Sequence, residues 1–354
     1  MNEKTMAGTF REGVIEFWKW FPTVAQQYAE LLDDQQGEQV VKAVSEKVGD
    51  LMPGMCWVFG REESGHSFTL TGEGQLAKQL LAEFWLTHAV DVPGWQFFGS
   101  KQPTPVEQAG SFAIRVGPDA DVDCSGFVVK TDVDEESERI HITAWHPAYA
   151  DLPEEHHMQI LFIFLDELLG EFGTQTWIGG IEIEPVEPSE HTRPLAELPG
   201  FIESVSKYHQ WEKLSPLESY TGYEAPDQYD FPRGDTLFGT TCIQNILFDL
   251  LNQKGTLSED PLDGAGAEFI YVAIDRSVFP DGQEVDVRSN IEDTINEALQ
   301  QNGSGRSLGG AFGLERCYVD FLLFDGENSR RIVHEQLQQL QLTSRSSVQS
   351  FVTN

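Results

Sequence analysis

Two runs near the C-terminus constrain the fold of this chain more than anything else in it. EFIYVAID (268–275) and RCYVDFLLFD (316–325) both alternate at period two, as strands do. Alternation places Ile270, Val272 and Ile274 on one face of the first, and Cys317, Val319, Phe321 and Leu323 on one face of the second. Between them NIEDTINEALQQNG sets Ile291, Ile295 and Leu299 at helical spacing, with Asn290 placed to cap its start and Gly303 to follow its end. Beyond them SRRIVHEQLQQLQL does the same with Val333, Leu337 and Leu340. With SSVQSFV closing the sheet, the order is β-α-β-β-α-β, a ferredoxin-like split βαβ domain.

In that arrangement the helices cover the aliphatic face. Phe269, Tyr271 and Ala273 then lie opposite, beside Tyr318, Asp320, Leu322 and Phe324. An aromatic sheet face of this kind is where RNA-recognition motifs stack bases. Asp320 sits in its middle, however, and the chain carries a formal charge of −35. Such a charge repels phosphate backbones, so nucleic acid is excluded as a partner. The face is expected to meet the N-terminal half or a partner protein, with Tyr271, Tyr318 and Asp320 as candidate contacts.

The stretch NGSGRSLGGAFG (302–313) invites a phosphate-loop reading. A phosphate loop leads from a strand into a helix N-terminus. Here a helix ends at Asn302 and the glycines feed a strand, with no Lys-Ser or Lys-Thr pair after them. Gly309, Gly310 and Gly313 instead mark a bulge, a bend or a close backbone approach.

The N-terminal half has a different rhythm. After a helical segment holding Phe17, Trp18, Trp20 and Phe21 around Pro22, residues of about 37–101 read as a helix followed by β-β-α-β. The four aromatics fit a core plug better than a membrane anchor, because acidic residues surround them. Residues of about 104–185 repeat the ββαβ order, and the two units are expected to share a sheet. Prolines and acids dominate 186–235, which reads as a linker with one short helix. The chain is therefore an α+β protein. Its expected parts are an N-terminal domain over 1–185 made of tandem ββαβ units, the linker, and the ferredoxin-like domain over 236–354.

Motifs for chemistry are sparse. The four cysteines are far apart and form no Cys-x-x-Cys pair. His156 and His157 are adjacent on a helix, and His141 and His146 differ by an odd number on a strand, so neither pair converges on one metal ion. No metal, cofactor or catalytic residue is assigned. No signal peptide and no membrane-length apolar run is present, which points to the cytoplasm. Asp166, Glu167 and Glu171 crowd a helix end, where the dipole disfavours anions, and so become candidate contacts for a basic partner.

The pieces FWKWFP, WQFFGSKQP and LDELLGEFGTQTWIGGIEI resemble the bacterial family called domain of unknown function 695, over about residues 10–185. The resemblance implies a cytoplasmic protein, and an architecture in which this domain is joined to small ferredoxin-like regulatory domains such as the ribonuclease E inhibitor type. It implies no activity and no site residue. Together these features lead to the expectation of a non-enzymatic acidic module, an inhibitor or immunity-type regulator holding a basic protein. The alternatives are a small-molecule sensor, with Trp95, Trp145 and Trp177 lining a pocket between the repeats, and an enzyme built on the Asp166–Glu171 carboxylates.

Overall fold

A capping box opens the first helix. Thr9 Oγ1 accepts the Glu12 N–H, and the Glu12 carboxylate accepts the Thr9 N–H at 3.0 Å. The computed structural model describes residues 8–62, 65–105, 108, 110–116, 120–225 and 229–352. Helix α1 (Phe10–Asp33) runs through Pro22 and buries Phe17, Trp18 and Phe21. These rings meet Phe68 and Trp85 at centroid distances of 4.7–5.5 Å. The aromatic cluster is thus core. Helix α2 (Gly37–Leu51) buries Val40, Val44 and Val48. Strands β1 (Cys56–Glu62) and β2 (Gly65–Thr71), helix α3 (Leu76–Thr87) and strand β3 (Trp95–Phe98) complete the first ββαβ module, with sheet order β1-β2-β3.

The second module follows a small hairpin, β4 (Ala113–Val116) and β5 (Ala120–Asp123). It consists of β6 (Val128–Asp134), β7 (Arg139–Trp145), α4 (Glu154–Trp177) and β8 (Ile178–Ile183), with β8 parallel to β7. The inward residues Ile140, Ile142 and Ala144 meet Ile160, Leu161, Phe164, Leu165 and Leu168 of α4. The two modules have the same order of elements but do not share a sheet. The expected linker contributes to the second sheet: β9 (Thr192–Pro194) pairs antiparallel with β6 and covers that edge. Helix α5 (Leu198–His209) follows and buries Leu198 and Ile202 in the same core.

The C-terminal sheet is larger than the expected four strands. Strands β10 (Thr221–Glu224) and β11 (Thr236–Thr241) come from the linker and its border, and helix α6 (Gln244–Asn252) follows. Then come β12 (Glu268–Asp275), α7 (Glu284–Gln301), β13 (Gly305–Gly313), β14 (Arg316–Leu323), α8 (Gly326–Gln339) and β15 (Ser346–Ser350). The sheet order is β10-β11-β13-β14-β12-β15, antiparallel at every pairing. Ile270, Val272, Ile274, Val319, Phe321 and Leu323 pack on Ile291, Ile295, Leu299, Val333 and Leu337, as alternation requires. Helix α7 begins at Glu284 rather than after Asn290, because its polar first turns hide its start from an apolar periodicity. The chain as a whole is α+β. It divides into two compact units, one of Met1–Phe68, Gln75–Phe97 and Tyr220–Asn354, the other of Thr69–Gly74 and Phe98–Ser219. This division groups most of the first module with the C-terminal sheet.

The glycine stretch is strand β13. Gly309 has φ +110 where the β13–β14 register shifts between Ser307 and Gly309, a bulge that only glycine adopts freely. A Cβ at Gly310 would overlap the Tyr318 carbonyl oxygen of β14 and the Arg288 guanidinium of α7. Gly310→Ala is expected to destabilise the protein by about 1–3 kcal/mol through overpacking. Gly49→Ala, in α2 with open space around it, should stabilise by up to about 1 kcal/mol. Urea midpoints of the two variants check both signs.

Candidate functional site

The aromatic face of the C-terminal sheet is built as alternation demands and is then covered. Register sets Tyr271 opposite Asp320 and Ala273 opposite Tyr318. The Tyr271 and Tyr318 rings stand edge to face at 5.8 Å. At one end Phe10 and Phe84 lie on Phe324, at 6.5 and 4.0 Å. At the centre Arg233 comes down from the segment before β11. Tyr271, Tyr318 and Asp320 are all buried within the chain, so they are not offered to a partner as the candidate contacts expected from their side of the strands.

Asp320 explains the cover. A carboxylate amid aromatic rings needs a partner, or it pays a large desolvation penalty. Arg233 Nη1 donates to Asp320 Oδ1 and Nη2 to Oδ2 at 3.2 Å, a two-pronged pair whose side chains are both shut off from water. The guanidinium carbon also lies 4.8 Å from the Tyr318 ring centroid and 5.1 Å from that of Tyr271. Burial works against the charged guanidinium, yet Asp320 prevails and holds its pKa above the usual arginine value. The backbone is specialised as well: Arg233 has φ +67, a left-handed conformation uncommon for a side-chain-bearing residue. The turn is held by Gly234 N–H to the Phe231 carbonyl, Tyr229 N–H to the Gly234 carbonyl, both at 2.8 Å, and Thr236 Oγ1 to the Arg233 carbonyl at 2.7 Å. Arg233 was missed in the sequence because its surroundings read as linker. A lone aspartate in the middle of an apolar strand was the signal that a cation had to be found for it.

Beside this pair lies a cleft of about 450 Å³. Its floor is Tyr271, Ala273 and Tyr318, with Ser347 and Gln349 of β15. Tyr271 donates its hydroxyl to Gln349 Oε1 at 2.6 Å. Tyr318 donates to Asp235, which also accepts the N–H groups of Glu315 and Arg316 at 2.9 and 3.0 Å. Burial, reinforced by that donation, pushes the Tyr318 phenol well up. One wall is the 229–235 segment, where Tyr229 and Phe231 stack at 5.4 Å and 15°. The other is the exposed turn Leu314–Arg316. Outside the buried pair, three carboxylates (Asp230, Asp235, Glu315) line the cleft against one guanidinium, Arg316.

The other candidate residues meet in the second unit. Gly170 (φ 72, ψ 161) interrupts α4, so Glu167 and Glu171 do not share one regular helix face. Glu171 turns inward and is buried. It accepts from Thr71 Oγ1 and Gly74 N at 2.7 Å and from Lys101 N at 3.3 Å. Glu167 accepts the Thr104 hydroxyl, and its carbonyl accepts the Thr104 N–H at 2.8 Å. Asp166 is half-buried beside them. These carboxylates pin two loops to α4 and are not a solvated helix face. The tryptophans suggested as pocket liners have their own places: Trp95 is buried and donates to the Ala25 carbonyl at 3.1 Å, and Trp145 and Trp177 are half-buried in the second unit.

Comparison with known proteins finds no match to this chain among family models, curated proteins or solved structures.

Asp320→Ala would strand a buried guanidinium and should cost about 3–5 kcal/mol, whereas the pair Arg233→Met with Asp320→Leu should recover most of that loss. Denaturant unfolding of the single and double variants reads the difference. In the second unit, burial raises the Asp166 carboxyl, with the Thr174 bond opposing and Glu171 adding to the rise. The folded state then keeps this proton where the unfolded chain has lost it. Stability therefore falls as pH rises from about 3.9 through the raised value, and the penalty is full above it. Asp166→Asn is expected to stabilise at pH 7 and to lose that advantage near pH 4, as thermal midpoints at the two pH values would show.

Proposed function

We propose that this chain is a binding module for a basic partner protein, in an inhibitor or immunity-type role, and that the cleft beside Arg233 holds the partner. The observation that carries this reading is the cleft itself: a concave site of about 450 Å³ with aromatic walls and an excess of carboxylates. The net charge of −35 supports it by steering cationic surfaces toward the molecule and phosphate backbones away. Among the described residues no helix is long and apolar enough to cross a membrane, which agrees with a protein partner reached from solution. The left-handed Arg233 adds weight, since backbone strain held in place by its surroundings concentrates at functional sites.

The test is capture from the host lysate at low and moderate salt, with the wild-type chain beside Asp230→Lys/Glu315→Lys. Both positions are exposed, so the variant should fold. The expected result is one basic protein in near-equal amount, released by salt and not retained by the variant. Equal capture by the variant would place recognition elsewhere on the surface. An empty wild-type bait would remove the basic-partner reading altogether.

A further inference from the structure

We infer that the cleft beside Arg233 is a guanidinium site, which reads an arginine side chain of its partner in preference to lysine. This rests on the basic-partner reading and names the group recognised. The first support is internal. The same sheet face already holds one guanidinium, that of Arg233, between the Tyr318 and Tyr271 rings and against a carboxylate. Both residues lie at the floor of the cleft, where they are 1% and 2% exposed, so they bound the site from beneath while the outer wall meets the partner.

The second support is the shape of the outer wall. Tyr229 and Phe231 stack nearly parallel, and Tyr229 is 57% exposed. Both residues line the cleft. A guanidinium is planar and weakly hydrated, so it can lie face to face on such a wall while its edge N–H groups reach carboxylates. Asp230 lies within the wall, and Glu315 stands on the facing turn. An ammonium is compact and strongly hydrated. It gains less from a flat wall and loses more water on entering. Arg316 is the opposing charge at the rim, and its removal should tighten binding.

The experiment uses the full chain and three short probes, Gly-Arg-Gly, Gly-Lys-Gly and the neutral isostere Gly-citrulline-Gly, titrated by calorimetry or by ligand-observed resonance. The arginine peptide is expected to bind at least about threefold tighter than the lysine peptide, with no measurable binding of citrulline. Glu315→Gln should weaken the arginine peptide about two- to fivefold, and Arg316→Gln should tighten it by a similar factor. Tyr229→Ala should erase the arginine preference. Lysine binding as tightly as arginine, citrulline binding equally well, or no response to Glu315→Gln would each overturn the inference, as would silence from all three probes. If the lysate partner is still lost from the charge-reversed variant while the probes show no arginine preference, the partner reading stands and the guanidinium assignment falls.

Discussion

The ion pair between Arg233 and Asp320 is the contact on which the C-terminal half of the first unit depends. Asp320 lies mid-strand on a face otherwise made of Phe269, Tyr271, Tyr318, Leu322 and Phe324. An unpaired carboxylate there would favour an exposed face or a protonated acid. A guanidinium brought in on a left-handed turn satisfies it, and the segment around that turn lies beside the aromatic residues of the sheet. The path from Tyr229 to Thr236 then becomes a wall, and the part of the face it leaves uncovered becomes the cleft. The ion pair and the cleft wall therefore belong to one segment of the chain.

The second unit holds its own buried acid, Glu171, at the break in a helix. Glu171 is buried like Asp320, and a hydroxyl and two backbone N–H groups donate to it. These donors converge on Glu171 beside the Gly170 interruption in α4. The two acids consequently do different things. One organises an aromatic surface beside open space, and the other ties loops to a helix.

Legibility in the sequence followed the range of the physics involved. The strands β12 and β14, the helices behind them and the repeated ββαβ order are local in origin, since period and alternation depend on neighbours in the chain. The role of the glycine stretch was readable for the same reason: a helix end followed by a strand leaves no helix N-terminus for a phosphate. The start of α7 was not readable, because Glu284–Ser289 carry little apolar pattern. Strands β9 and β10 were hidden in proline-rich, acidic surroundings, where pairing with a distant edge overrides weak local preference.

The candidate site divides along the same line. By itself the sequence determined which side chains face which way: Tyr271, Tyr318 and Asp320 had to lie together on the face away from the helices, and the net charge had to make cations the favoured company. Only the tertiary structure decided what covers that face. A buried charge requires an opposite charge but does not say where in the chain it resides. The answer, Arg233, lies 87 residues away from Asp320 along the chain, in a segment with no periodicity to mark it. Long-range pairing of that kind is set by the closing of the whole fold around one desolvated carboxylate.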